Sequence, residues 1–420
     1  MRYWVLVGCL AFPCAGCGDV DSEPRRGQIN IGVLMPLTAG LLASQAPGWE
    51  AAAKVAQIEI NQAGGVQGGD VHLDMRDSQS DTGENAPPYT SEQVAQQLMA
   101  VGERLWVFGD GGKTPDHIAA TAQAGGALVL FTVAGGDSVT TLDSTDMFFR
   151  TCSKGADSAK AIAYYAYSQG NRRVAIIASP VKVASSAVPI ADTFTALGGS
   201  VIPFTGASGT ASYFLGPDPV PYSGFDADVQ IVMAQNPDAI FVMAALDPTG
   251  AGYLQALLNA NYSGEIYVDE MIADATLFTK VKGNTNGIRG VMPGDPVARK
   301  ALARKVEEAS GTSLSTVSRL AENYDAIYLM ALAIAQAGST DPVAVRDGLR
   351  AVSGPAGAIV GPGDFGLASQ LIAAGQSVNY QGVSGSLDFD VDGNVTSLFD
   401  LWVTNNKTFE STGTWTPTGH

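Results

Sequence analysis

Ile29-Asn-Ile-Gly-Val-Leu-Met-Pro-Leu-Thr-Ala-Gly40 reads as a short buried strand that runs into a Pro- and Gly-containing loop. A helix-length amphipathic stretch follows at 47–63, so the two together form a βα unit. Pro47 suits a first helical turn, and Ala51, Ala52, Val55, Ile58 and Ile60 supply an apolar stripe. Gly64-Gly65 ends the helix with residues that accept positive φ. The same unit recurs along the chain. Strands are expected at 29–35, 71–75, 106–108 and 128–132, then in a second series at 174–178, 201–204, 239–243 and 266–268. These runs are short, rich in β-branched residues and weakly alternating, as parallel strands buried on both faces are. The segments between them are long enough for crossover helices. The predicted class is therefore α/β, with two doubly wound parallel-sheet lobes.

Upstream, Arg2 is the only charge of a leader whose apolar part, 3–12, is broken by Pro13. The run is shorter than the roughly 20 residues that span a bilayer, and it reads as a signal-peptide core. Cys14-Ala-Gly-Cys17 follows, with small residues just before a cysteine, and resembles a bacterial lipobox. Leu6-Val-Gly-Cys9 matches that pattern too, but leaves almost no apolar run ahead of it. The expectation is cleavage before Cys17 and lipidation of it, with a plain secretory cut near Gly18 as the alternative. A diacylglycerol plus an acylated amine would supply the two anchors that membrane retention needs. On this reading, 1–16 is a signal peptide and 17–28, which is polar, a lipid-anchored tether. No later stretch is long and apolar enough for a transmembrane helix.

Three of the four cysteines lie in the leader, leaving Cys152 as a single thiol and no disulfide framework or Cys-x-x-Cys zinc pattern. Cys152 is expected to be buried and inert. The chain is 46% hydrophobic and 15% charged over 420 residues, which suits two domains. Its net charge of −17 becomes −18 once Arg2 is removed with the leader. With no Lys/Arg cluster, it lacks the basic face that nucleic acid requires.

Several segments imitate known chemistry without completing it. Gly109-Asp-Gly-Gly-Lys-Thr114 would be a phosphate loop only with glycine at the position of Val107. The Asp388, Asp390, Asp392-Gly393 spacing suggests a calcium loop, but its twelfth position is Phe399 rather than Glu, so a tight β-hairpin turn is expected. No Gly-x-Ser-x-Gly elbow exists, and His72, His117 and His420 are scattered. No metal, cofactor or catalytic activity is therefore expected. Gly206 to Gly224 reads as a surface loop, with a cleft lid or partner contact as the alternative.

Ordered motifs then carry a family resemblance. Gly32-Val-Leu-Met-Pro-Leu-Thr38, Glu59-Ile-Asn-Gln-Ala-Gly-Gly-Val66 and Asp77-Ser-Gln-Ser-Asp81 come first. Phe149-Arg-Thr151, Asn323-Tyr-Asp-Ala-Ile-Tyr-Leu329, Asn379-Tyr-Gln-Gly-Val-Ser-Gly385 and Asp388-Phe-Asp-Val-Asp-Gly393 follow. Over about 29–405 the chain resembles type I periplasmic binding proteins, in the branch of leucine/isoleucine/valine and amide receptors of ABC importers. The resemblance implies a three-crossover hinge, with lobe 1 at 28–150 and 292–383, lobe 2 at 151–291 and 384–412, and a tail at 413–420. It implies a monomer that binds a small molecule, an amino acid or a relative of one, closes over it, and docks on permease subunits. The alternative is a sensor of the same fold that reports to a signalling or cell-wall partner.

The resemblance also implies a site. Relatives hold an amino acid's carboxylate and ammonium with two first-lobe loops, here Asp110, Gly111 and Gly112, and Thr132, Ala134 and Gly135. Asp110 stands where a small hydroxyl residue is common, and Gly135 where Thr or Ser is usual, with Thr132 as its substitute. The facing loops place Lys182 and Leu246 where aromatics are common in relatives. Asp269 and Glu270 stand where relatives put an acid for the ligand ammonium.

Overall fold

A computed structural model describes residues 26–417 apart from 41, 82–88, 207–208, 217–221 and 312–317. The leader, Cys17 and His420 lie outside the described residues.

β1 (Arg26–Met35), β2 (Gly69–Asp77), β3 (Leu105–Phe108), β4 (Leu128–Phe131) and β5 (Phe148–Arg150) form one parallel sheet in the order β2-β1-β3-β4-β5. β3, β4 and β5 are buried at every position, which is why their sequence is apolar without alternation. A second sheet takes β6 (Arg173–Ala178) with β7 (Ser200–Val201). The segment expected as one strand at 201–204 is split. Pro203 offers no N–H to a ladder, and β8 (Phe204–Gly206) turns away to form a hairpin with β9 (Gly209–Ala211). β10 (Phe214–Leu215) then pairs with β6, so the Gly206–Gly224 stretch contributes an edge strand to the sheet and is not only a surface loop. β11 (Ala239–Met243), β12 (Glu265–Val268) and β13 (Ile288–Pro293) continue the parallel order.

The chain next returns to the first lobe. Helix Pro296–Ser310 buries Leu302 and Val306 in its core, and every residue of helix Leu320–Ala337 from Leu320 to Ile334 is buried there. β14 (Ala358–Val360), β15 (Val378–Gly382) and β16 (Gly385–Ser386) make a small sheet. Residues 384–398, placed in the second lobe from sequence, stay on the first: Leu387 and Val395 belong to its apolar core and Phe389 packs against it. The crossing comes at β17 (Phe399–Asn405), which pairs antiparallel with β13 and with β18 (Thr408–Trp415). Residues 413–415, expected in a tail, therefore belong to the second sheet. Asp388 to Gly393 is a tight turn closed by the Asp390 carboxylate, which accepts Asp392 N–H (3.0 Å) and Asn394 N–H (2.8 Å), and no hairpin strands flank it.

Helix Ala46–Gln62 carries Pro47 in its first turn as expected and buries Ala52, Val55 and Ile60 of the expected stripe, together with Trp49, Ala53 and Ala56, while Ala51 is half-buried. Ile58 is exposed. Trp49 sets the phase by donating Nε1–H to Ser318 O at 2.6 Å. At the helix end, Gly65 has φ +68, and a Cβ there would lie 2.2 Å from Gly69 O, so only glycine fits. Cys152 is fully buried, and burial pushes its thiol up to about 11, the behaviour of an inert core cysteine.

Candidate functional site

Parallel βα units place their loops at the carboxyl ends of the strands, where open α/β sheets bind ligands. In the first lobe, Gly109 follows β3 and donates to Leu34 O (2.8 Å). A Cβ there would sit 3.0 Å from Met35 Cγ and 3.1 Å from Asn323 Oδ1, so glycine is what lets the loop lie flat on the core. The Asp110 side chain is fully buried. Its carboxylate accepts Ser78 Oγ–H (2.5 Å), Ser80 Oγ–H (2.8 Å) and the N–H of Gly111 (2.7 Å). The loop thus spends an amide expected for a ligand anion on its own carboxylate. Gly112, at φ +63, is exposed.

Thr132 is also turned inward: its hydroxyl donates to Asn323 Oδ1 at 2.8 Å. Ala134 O and Gly136 O accept Arg150 Nη1–H at 3.3 and 3.0 Å, which braces the loop from β5. Gly135 meets the other lobe, its carbonyl accepting Gly155 N–H at 2.8 Å.

On the second lobe, Lys182 lies 3.0 Å from Asp269, and Asp269 Oδ1 caps the short turn Glu270–Ile272 by accepting Met271 N–H at 3.0 Å. Leu246 is buried and opens the single turn Leu246–Gly250. Glu270 is 8% exposed. Its Oε2 accepts Ser158 Oγ–H at 2.9 Å, and its Oε1 is held by Arg319 Nη2, which reaches it from the first lobe.

Arg319 is the central residue that the sequence reading missed. It precedes helix Leu320–Ala337 at φ +63, and its carbonyl accepts Asn323 Nδ2–H at 2.8 Å. Nη1 pairs with Glu322 at 3.0 Å. Burial works against its charge, but Glu270 and Glu322 outweigh burial and hold the guanidinium above its usual range. Burial also raises the pKa of Glu322 despite Arg319. The structure therefore brings Lys182, Asp269 and Glu270 together with an unforeseen cation, while it turns Asp110 and Thr132 inward. The available signal was an arginine one position ahead of a long helix that is buried along most of its length.

Four more buried polar atoms are relevant. Gln45 Oε1, Ser153 Oγ, Ser179 Oγ and Arg319 Nε have no hydrogen-bond partner among the described residues. Gln45 follows β1, Ser153 follows β5 and Ser179 follows β6, all at carboxyl ends. A cavity of about 470 Å³ is lined by Arg319 with Phe278, Met292, Arg299, Trp402 and Phe409 among others. Among the described residues, no group of three His, Cys, Asp or Glu could hold a metal ion, and no helix is long and apolar enough to cross a membrane.

Comparison with known proteins places this geometry. The chain is 26% identical over 368 residues to the chemotactic signal transduction system substrate-binding protein BasB of Halobacterium salinarum, covering 86% of this chain and 83% of that one. Its fold matches the leucine binding protein LivK of Thermotoga maritima with a TM-score of 0.71 at 19% identity, over 93% of this chain and 99% of the other. It also matches an R. palustris ABC transporter solute binding protein in complex with 4-hydroxybenzoate, with a TM-score of 0.71 at 17% identity, over 92% and 97% of the two chains. The model of the family described as periplasmic binding protein matches residues 28–382. On that match, and with two parallel-sheet lobes joined by three crossings, the chain belongs to the periplasmic binding protein family and has its type I fold.

Proposed function

We propose that this protein is the extracytoplasmic solute receptor of an ABC importer, anchored through lipid at Cys17, and that it binds an amino-acid-like or amide-like small molecule between its lobes. The observation that carries this reading is the set Gln45 Oε1, Ser153 Oγ, Ser179 Oγ and Arg319 Nε, buried without partners among the described residues, the first three on chain that follows the carboxyl ends of strands from both lobes and the last just ahead of helix Leu320–Ala337. Buried polar groups are nearly always satisfied, and in a binding protein the ligand is the partner that completes them. Leucine and 4-hydroxybenzoate, named for two similar structures, are molecules of the size such a cleft encloses. The receptor works as a monomer: capture in the open form, closure by hinge motion, then docking of the closed form on a permease. Asp110, Gly111, Gly112, Thr132, Ala134, Gly135, Lys182, Leu246, Asp269 and Glu270 form or support the walls of this cleft. No step requires a catalytic group.

Similarity to BasB favours a second reading, in which the closed form reports to a signalling partner. Mass spectrometry of small molecules released from the purified protein, followed by calorimetric titration with what is found, tests ligand binding. A protein that releases nothing and titrates with no amino acid or amide would overturn the receptor reading. Genes for permeases and ATPases beside its own would separate transport from sensing.

A further inference from the structure

The carboxylate expected to receive a ligand amine already has two partners. Glu270 Oε1 is held by Arg319 and Oε2 by Ser158 at 2.9 Å, with both charged side chains almost wholly buried. Asp269 beside it is equally committed, to Lys182 and to the Met271 N–H. Among the described residues, no carboxylate of this acid pair is left waiting for a cation.

We propose that Arg319 is a specificity-determining residue that acts as a built-in counter-ion: by saturating Glu270 from the opposite lobe, it closes the seat for an ammonium group, so the cleft selects ligands with no amine at that end. The inference rests on the reading of the interlobe cleft as the ligand site.

Three physical points support it. First, an incoming ammonium would sit beside a guanidinium in a water-poor site, where like charges repel strongly. Displacing Arg319 instead would separate a buried ion pair, which is costly. Second, Arg319 is fixed in place. Its φ of +63 is uncommon for a non-glycine residue, and it persists because Asn323 Nδ2 donates to the Arg319 carbonyl while Asn323 Oδ1 accepts from Thr132. Strain retained at a ligand site is grounds for a functional hypothesis. Third, the buried atoms without a partner among the described residues at the strand carboxyl ends include two serine hydroxyls and an amide carbonyl, groups that pair with an uncharged polar head as readily as with an ion.

The test uses three probes with the same isobutyl body: leucine, 4-methylpentanamide and 4-methylpentanoate. Calorimetry on the full-length protein should show the amide binding at least about tenfold more tightly than leucine. Arg319→Met leaves Glu270 free for the ammonium and should raise leucine affinity about tenfold or more, while Arg319→Lys keeps the wild-type order. In Arg319→Met combined with Glu270→Gln, the leucine gain should vanish. Leucine binding most tightly to the wild type would overturn the inference by itself, whether or not the variants fold. A probe order unchanged by Arg319→Met would do the same. Binding of none of the three by any form would overturn the amino-acid- or amide-like reading, and this inference with it.

Discussion

Gly155 donates its backbone N–H to Gly135 O at 2.8 Å, joining the loop after β4 in the first lobe to the helix that opens the second. A Cβ on Gly135 would lie 3.1 Å from Gly155 N and 3.2 Å from Ser153 O, and backbone atoms cannot move aside as side chains can. Gly135→Val should wedge the lobes apart. Small-angle scattering should then show a radius of gyration that falls on ligand saturation in the wild type and stays large in the variant. Equal contraction in both proteins would refute a closing contact here.

The buried Asp325 carboxylate organises the end of the small sheet. It accepts Tyr380 Oη–H (2.8 Å), Val383 N–H (3.1 Å), Ser384 N–H (2.7 Å) and Ser384 Oγ–H (2.6 Å). Asp325→Ala orphans these donors, each at a cost of about 1–3 kcal/mol if it stays dry. Urea unfolding should show a loss of about 3–5 kcal/mol, because part of the orphaned set regains water. A loss within experimental error would mean that the network is not structural.

Glu59 receives Tyr328 Oη–H at 2.7 Å, pairs with Lys305 at 2.5 Å and is also held by Tyr324. Burial raises its pKa, but these partners together outweigh burial and hold it below the ordinary 4.5. A depressed folded pKa means that its contribution is complete above 4.5 and is lost as pH falls through the lower folded value. Glu59→Gln should therefore be less stable than wild type at pH 7, with the gap narrowing at pH 3. Denaturation curves at both pH values check this, and a gap that widens in acid would contradict it.

Processing is tested apart from folding. Wild-type protein expressed in its native host should incorporate labelled fatty acid and partition with membranes, and Cys17→Ser should do neither. Equal label on both proteins would point to the secretory cut near Gly18 instead.

The sheets were legible because strands such as Leu128–Phe131 are buried on both faces, and burial of that kind writes itself as an unbroken apolar run. Helix phase was less legible. Ile58 fits an apolar stripe, but Trp49 is the bulkier anchor and rotates the buried face away from it. Pro203 was visible in the sequence, yet the hairpin beyond it depends on pairing that no local pattern announces. Positions of the loops followed from strand ends, so Lys182, Asp269 and Glu270 were singled out, and the structure sets Lys182 against Asp269 at the start of the turn that holds Glu270. Their ion-pair partners were not legible. Arg319 lies 49 residues from Glu270 and in the other lobe, and Asp110 finds Ser78 and Ser80 at separations of 32 and 30. Side-chain partners at such separations are chosen by the tertiary fold, and sequence spacing carries no trace of them.

The first core closes only when Leu302, helix Leu320–Ala337 and Val395 join strands completed by Phe149. Domains generally fold in the order in which they leave the ribosome, at about 5–20 residues per second. This lobe cannot do so. Its first half must wait about 10–50 seconds for its second half to be synthesised, holding apolar strands such as β3 and β4 without their covering helix. The second lobe has consecutive strands β6 to β13, but it too waits for the C-terminal segment, because β17 pairs with β13 and Phe399, Leu401 and Trp402 fill its apolar clusters. The interleaving that makes a hinge in the finished molecule therefore delays both lobes until nearly the whole chain is available. It also makes the N-terminal half of the nascent chain the part most in need of a chaperone.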